Sequence, residues 1–220
     1  MKKNLFKIVS ILGVCLILFS LVVIITKTPE PKPKAGSIDI LEKAKLNPSE
    51  FGGDFVLTNQ DDLKIDSKSL RGKYLLVYFG FTNCPDICPA SIMQVSTALE
   101  DIKSKDSDLY SKLQLVFITI DPERDTSEVL KNYFDSMGVE IMAFTGTPEE
   151  VSEVAKKYRV YYSTVEGSKK DKGNYLVNHS SFFYLVGPDG KFIKHYIPNA
   201  KGEEIAKDII KIFAETKNNE

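Results

Sequence analysis

The sequence predicts an α/β fold with a mixed sheet flanked by helices. Two uninterrupted apolar stretches, Tyr74–Phe79 and Leu113–Ile120, have the character of central strands that are covered on both faces. Segments with helical periodicity follow each stretch, which indicates strand–helix alternation. Two further strands around the turn Pro188–Gly190 and a closing helix then predict an antiparallel addition to the sheet.

Composition limits the possible functions. The chain has 220 residues, of which 43% are hydrophobic, so we expect one globular domain with appendages. Its net charge is −1, and without a basic excess it is not expected to bind nucleic acid. Three cysteines are too few for a disulfide scaffold and are better interpreted as one working pair and one bystander.

The N-terminal residues 1–27 predict a membrane anchor. Lys2, Lys3 and Lys7 precede Ile8–Ile25, which carries no charge, and the apolar segment approaches the roughly 20 residues that a spanning helix needs. Basic residues stay on the cytoplasmic side, so we expect a single-pass protein with a cytoplasmic N-terminus. The rest of the chain would then lie on the exported side, in a periplasm or an equivalent compartment.

Two alternatives for this segment fit less well. A cleaved signal peptide would end in a small-x-small site, which does not follow the apolar run. A lipoprotein would use Cys15, but Val14 is bulky for the preceding position, so we interpret Cys15 as a lipid-facing residue without chemistry. Residues 28–35 alternate proline with other residues and predict a semi-rigid polyproline II spacer before the domain, residues 36–220.

The domain is predicted to begin with a β-hairpin, in which Asn59–Asp62 joins Phe55–Leu57 to Leu63–Ile65. The clearest helix start is Thr147–Glu150, which combines an N-cap, a proline at the first helical position and acidic residues in the first turn. Further strands are predicted over residues 141–144, 160–165, 181–186 and 191–197. Helices are predicted over residues 90–103, 126–137, 147–158 and 202–213.

A turn with two thiols, FGFTNCPDICP over Phe79–Pro89, joins the first central strand to its helix. Cys84 and Cys88 are thus expected at the top of the sheet beside a helix N-terminus, which stabilises thiolates. This is the thioredoxin arrangement, with the N-terminal hairpin and residues 160–177 as additions. Thiols with a lowered pKa serve either disulfide exchange or soft-metal binding.

The spacing of the two cysteines and a histidine later in the chain help to decide between disulfide exchange and metal binding. Thioredoxin-type cysteines are usually separated by two residues, whereas three separate Cys84 from Cys88. The stretch expected to face them, Leu176–Tyr184, has no proline but contains His179. Two thiolates and an imidazole form a soft trigonal site. Zinc prefers a fourth ligand, for which only Asp86 or solvent is available, so copper is favoured.

Five ordered motifs resemble the Sco/SenC family over roughly Gly53 to the C-terminus. They are FGFTxCPDxCP at 79–89, DPERDT at 121–126, TGTPEE at 145–150, YRVYY at 158–162 and HS at 179–180. The resemblance implies a thioredoxin-like, membrane-tethered copper protein. Such proteins mature the binuclear copper centre of cytochrome c oxidase subunit II, as copper donors, thiol reductants or both.

The resemblance also implies roles for individual residues. Cys84, Cys88 and His179 would bind one Cu(I) or Cu(II) ion, and the two cysteines would form the redox pair if the chain has thiol activity. The family often has Asp directly before this histidine, whereas this chain has Asn178. The ligand set is unchanged, but a negative charge next to the metal is not assured. Subunit II, or a similar copper-site protein, is the expected partner. A membrane-anchored thiol–disulfide oxidoreductase and a copper or redox sensor remain alternatives, and enzymatic activity stays open.

The remaining candidates have weaker signals. Asp86 is either an outer-sphere carboxylate or a helix cap, and His195 is expected to be half-buried on a terminal hairpin strand. Asp121 and Asp125 follow a central strand as turn residues and caps, or serve partner docking. Phe79, Phe81 and Tyr162 are interpreted as packing residues that exclude water from the metal.

Overall fold

The structure, a computed structural model, describes residues 51–165 and 175–217. They all belong to one compact unit, Asn47–Glu220. The predicted anchor (1–27) and spacer (28–35) lie outside the described residues, as does the charged segment 166–173. In the part of the chain that is described, no helix has the length and apolar character to cross a membrane.

Nine strands, five α-helices and one 3-10 helix (Ser67–Leu70) are described, and the strands and α-helices are numbered here in chain order. The strands are β1 (Val56–Asn59), β2 (Lys64–Asp66), β3 (Tyr74–Gly80), β4 (Leu113–Thr119), β5 (Met142–Thr145), β6 (Tyr162–Thr164), β7 (Val177–His179), β8 (Phe183–Val186) and β9 (Phe192–Tyr196). The helices are α1 (Ile87–Lys105), α2 (Ser107–Ser111), α3 (Ser127–Met137), α4 (Pro148–Lys157) and α5 (Gly202–Lys217).

A seven-stranded mixed sheet forms the centre, in the order β2-β1-β5-β4-β3-β8-β9. β3 pairs in parallel with β4 and β4 with β5, whereas β8 runs antiparallel to β3 and β9 antiparallel to β8. Every residue of β3 is buried, as its continuous apolar sequence predicted. The α/β class and the central position of β3 and β4 are therefore confirmed. β1 and β2 pair as an antiparallel hairpin.

A separate two-stranded sheet contains β6 and β7, with Tyr162 opposite His179. A strand is predicted over residues 160–165, of which Tyr162–Thr164 forms β6, whereas Val177–His179 carries no strand prediction. The strand predicted from Ser181 begins only at Phe183. The histidine segment therefore lies on an accessory ribbon and not in the main sheet.

The helix after β3 begins earlier than predicted. It starts at Ile87, not Ala90, so Cys88 and Pro89 are both in its first turn. Proline fits there because the first-turn N–H groups have no intrahelical acceptor. The short helix α2 was not predicted; it is capped by Asp106, whose side chain accepts a hydrogen bond from Leu109 N–H.

Candidate metal centre

Two cysteines and a histidine converge at the end of the central strand. Cys84 lies in the turn after β3, Cys88 in the first turn of α1 and His179 at the end of β7. Their ligand atoms all lie within 4.8 Å of one another. That separation is close to what one ion with metal–nitrogen and metal–sulfur bonds of about 2.0–2.3 Å can bridge. The spatial convergence expected from the sequence is thus present.

The cysteine turn is tight because a glycine ends β3. A Cβ atom on Gly80 would lie 2.9 Å from the Phe117 ring and 3.0 Å from Cys88 Sγ. The Cys84 N–H donates to the Phe81 carbonyl at 3.2 Å, which closes the turn. Any side chain at position 80 would therefore push the buried sulfur away from its place.

The imidazole of His179 is oriented by its second nitrogen. Nδ1 lies 3.2 Å from the Ser180 carbonyl oxygen, which can only accept, so Nδ1 carries the proton. Nε2 then has a lone pair and lies 3.3 Å from Cys88 Sγ. The rings of Tyr78 and Phe81 pack edgewise against the imidazole. The tautomer is thus the one that presents Nε2 as a metal ligand.

The two thiols differ in acidity. Both are reduced, and Cys84 is 8% exposed whereas Cys88 is fully buried. A hydrogen bond from the Cys88 thiol lowers the pKa of Cys84. Its interaction with Cys84, together with burial, raises the pKa of Cys88. The opposite shifts favour a thiolate at Cys84, the more exposed of the two sulfurs, and a proton on Cys88.

A largely apolar cleft of about 280 Å³ opens over Cys84 and His179. Its lining includes the buried Phe81 and the half-buried Val177, and the exposed side chains of Ile87 and Leu176 line it as well. Apolar walls limit the access of water and strengthen electrostatic interactions inside. A partner can approach the two ligands from this side.

The other candidate ligands, Asp86 and His195, do not belong to the ligand group found among the described residues, although Asp86 lines the same cleft. Asp86 is exposed and occupies the N-cap position of α1 without a side-chain capping bond. His195 is half-buried on β9, where its ring packs against Phe182 and Phe192, and burial lowers its pKa. Within the described residues, the group of possible metal ligands contains only the two cysteines and His179.

Docking through Asp121 and Asp125, one of the two expectations for them, does not fit their burial. Asp121 is 4% exposed and Asp125 is fully buried. Asp125 accepts hydrogen bonds from the N–H and hydroxyl of Thr82 and from the Thr119 hydroxyl. Asp121 accepts from Arg124 and Tyr175. The sequence places both residues after a central strand, which was the only indication of their importance. Their hydrogen-bond partners could not be predicted, because they lie up to 54 residues away along the chain.

Two reduced thiols and an oriented imidazole at the end of a central strand define a class, the thioredoxin-like proteins with a thiolate–imidazole metal site. A family comparison then matches residues 43–214 to SCO1/SenC, and the chain belongs to that family. The resemblance found in the motifs is therefore confirmed.

Individual relatives agree with this assignment. A SCO2-like protein of Rickettsia prowazekii is 36% identical over 206 residues, which covers 93% of this chain and 96% of that protein. The human mitochondrial SCO1 homologue is 38% identical over 178 residues, which covers 81% of this chain and 58% of that protein.

Solved structures confirm the thioredoxin-like fold. Yeast Sco1 with copper bound superimposes with a TM-score of 0.67 at 40% identity, over 74% of this chain and 87% of that one. BsSco, described as a member of the Sco family of cytochrome c oxidase assembly proteins, has a TM-score of 0.58 at 28% identity, over 75% of this chain and 95% of that one.

Proposed function

We propose that this chain binds one copper ion through Cys84, Cys88 and His179 and uses it to mature the copper centre of cytochrome c oxidase subunit II or a similar protein. The convergence of the three ligand atoms within 4.8 Å carries the proposal. Two thiolates and one imidazole are soft ligands, which select Cu(I) over hard cations. The copper-bound structure of yeast Sco1 supports copper binding. The membership of BsSco in a family of cytochrome c oxidase assembly proteins supports a role in maturing that oxidase.

Copper is the cargo of this reaction. A three-coordinate ion leaves one side open toward the apolar cleft, where a cysteine of the partner can attack. The partner's thiolates then replace the ligands stepwise, and the Cys88 sulfur regains its proton from solvent while Cys84 remains a thiolate. The exposed rim residues Ile87 and Leu176 provide contact area for this encounter.

The rest of the chain would bring this domain to its partner. We propose that residues 1–27 anchor it in a membrane, that 28–35 form the spacer and that 36–220 carry the copper site on the exported side. An N-terminus rich in lysine supports a cytoplasmic start. Tethering near a membrane-bound recipient raises the effective concentration of the copper site.

An anaerobic Cu(I) titration with simultaneous thiol counting tests the ligand set. We expect one copper per chain and three reduced thiols, those of Cys84, Cys88 and the bystander Cys15. His179→Ala should keep all three thiols but lower the affinity by more than the roughly 10- to 100-fold typical of losing an outer-sphere partner. The matched control is His195→Ala, which removes the chain's other histidine and should leave affinity unchanged. Unchanged affinity in His179→Ala would disprove the assignment.

Thiol reduction is the second candidate, favoured by the unequal acidity of the pair. The Cys84 thiolate would attack a partner disulfide and form a mixed disulfide. Cys88 would then displace the second partner thiol, leaving a Cys84–Cys88 disulfide and two reduced partner cysteines. Thiol reduction would be supported if the metal-free protein reduces a disulfide of the recipient and if Cys88→Ser stops at the mixed disulfide. A reduction that requires copper would contradict it.

A further inference from the structure

The loop between β4 and α3 contacts both segments that carry the metal ligands. On one side, the buried carboxylate of Asp125 holds Thr82, two residues before Cys84. On the other side, Asp121 and Arg124 hold Tyr175, four residues before His179. A single loop that belongs to neither segment therefore connects the cysteine turn to the histidine strand.

Asp121, Arg124 and Tyr175 each contact the other two. Arg124 Nε donates to Asp121 Oδ2 at 2.5 Å, and the Tyr175 hydroxyl donates to Asp121 Oδ1 at 2.5 Å. Arg124 also donates from a terminal nitrogen to the Tyr175 backbone carbonyl at 2.9 Å. Its guanidinium carbon lies 3.6 Å from the centre of the Tyr175 ring. The side chains of Arg124 and Asp121 are only 13% and 4% exposed, so water screens this ion pair little.

The histidine strand needs such support. β7 has three residues and pairs only with β6, which is equally short. An isolated two-stranded ribbon is at best marginally stable in water. The guanidinium group also lies 5.8 Å from the Phe81 ring, which packs edgewise on His179. Arg124 thus touches the backbone leading into β7 and a ring that borders the imidazole.

We propose that Asp121 and Arg124 are positioning residues, which hold β7 so that His179 stays over the two cysteines, and so set the copper affinity without touching the metal. This inference rests on the proposed copper site. A docked strand presents the imidazole in place before copper arrives, so the ion does not have to order it. An undocked strand reduces the fraction of chains with a complete ligand set, and the apparent affinity falls by that fraction.

Arg124→Lys is the informative variant because it keeps the positive charge next to Asp121 but loses the planar fork and the stacking on Tyr175. We expect about a 10- to 100-fold loss of Cu(I) affinity, the range found for partners that orient a ligand. Arg71→Lys is the matched control, since Arg71 pairs with Asp54 at the opposite end of β3 from the cysteine turn. The control should bind copper like the unmodified chain.

A double-mutant cycle with His179→Ala separates positioning from general damage. If Arg124 acts through His179, Arg124→Lys should cause no further loss once the imidazole is removed. An equal loss in both backgrounds, or no loss in either, would overturn the inference. If the unmodified chain itself binds no copper, the proposed function fails instead, and the two failures are distinguishable.

Amide hydrogen exchange on the metal-free 220-residue chain tests the positioning without copper. We expect Arg124→Lys to speed exchange at Val165 N–H, which donates to the Leu176 carbonyl, and at Ser180 N–H, which donates to Tyr161. Amides between β3 and β4 should stay protected. Tyr175→Phe, which removes only the hydroxyl bond to Asp121, should act in the same direction and covers the case in which Arg124→Lys does not fold. Unchanged exchange in both variants would overturn the inference.

Discussion

At the scale of single residues, Asp125 shows how a buried charge can serve the cysteine turn. Its side chain is fully buried and accepts three hydrogen bonds, two from Thr82 and one from Thr119. Burial nevertheless dominates and raises the pKa of this carboxyl group. The fold therefore tolerates a costly carboxylate in order to hold the residues next to Cys84.

Asp125→Ala should destabilise the protein by about 1–3 kcal/mol, because the donors on Thr82 and Thr119 lose their acceptor. The loss should depend on pH. Since the folded pKa of Asp125 lies above its unfolded value of about 3.9, its stabilising contribution is complete below that value. The contribution is lost as the pH rises through the folded pKa. Chemical denaturation across this pH range measures the difference between the two proteins.

Asp189→Asn provides a control of opposite sign. The Lys191 N–H donates to this exposed carboxylate and lowers its pKa. Its contribution should therefore be present above the unfolded pKa and lost as the pH falls through the folded one. The same pH trend in both variants would mean that the effect at Asp125 reflects overall charge and not burial.

The three proposed ligands were accessible to sequence reasoning for a specific reason. Strand order and chain direction alone bring the end of β3 near the segment before β8, and histidine is rare in this chain, with two in total. The roles of Asp121 and Asp125 depended on side-chain partners, and pairing such as Asp121 with Tyr175 has no local signature.

At the scale of elements, α4 follows its sequence signature closely. Thr147 Oγ1 accepts from Glu150 N–H, while the Glu150 carboxylate accepts from Thr147 N–H, which completes the predicted N-terminus as a capping box. The helix packs Val151 and Val154 into the core. Local capping and tertiary packing therefore favour the same helix start.

Thr147→Ala should lower the free energy of unfolding by about 1 kcal/mol, because the Glu150 N–H at the third helical position loses its acceptor. Thr97→Ala on the exposed face of α1 is the control, since the Thr97 hydroxyl bonds back to the Met93 carbonyl within the helix. Alanine is a better helix former there, so this change should be neutral or slightly stabilising. Equal effects in both variants would argue against the capping role.

The start of α1 and the presence of β7 differ from the sequence prediction, each for a physical reason. α1 was expected from Ala90 because proline usually marks a helix boundary, yet the first turn accepts Pro89 without losing a hydrogen bond. β7 was missed because Val177–His179 is too short to show alternation and pairs only with another accessory strand. Periodicity identifies long elements better than ribbons of three residues.

At the scale of the whole molecule, topology explains why one edge of the sheet carries all the chemistry. β3 and β4 are parallel, so the cysteine turn and the loop of Asp121 and Asp125 both follow carboxyl ends of strands at the same edge. The accessory ribbon adds His179 from a third direction. This convergence makes the proposed copper site a property of the folded domain, so metal binding and stability should be coupled.

Copper binding should therefore stabilise the protein and release protons in a defined number. At free Cu(I) of 100 times the dissociation constant, the free energy of unfolding should rise by about 2.7 kcal/mol.

The lowered pKa of Cys84 means that its thiolate exists before copper arrives, whereas the raised pKa of Cys88 means that its proton must leave. Near neutral pH we expect about one proton released per copper, so that the affinity rises about tenfold per pH unit.

Calorimetry in buffers of different ionisation enthalpy counts these protons. Cys88→Ser removes the thiol that holds the proton, so the release should fall toward zero while the Cys84 thiolate and His179 still bind copper weakly. Two protons released by the unmodified chain would mean that Cys84 is also protonated before binding. Release of no proton would mean that Cys88 is already ionised before binding. Either result would contradict the predicted difference in acidity between Cys84 and Cys88. The same difference favours attack by Cys84 on a partner disulfide.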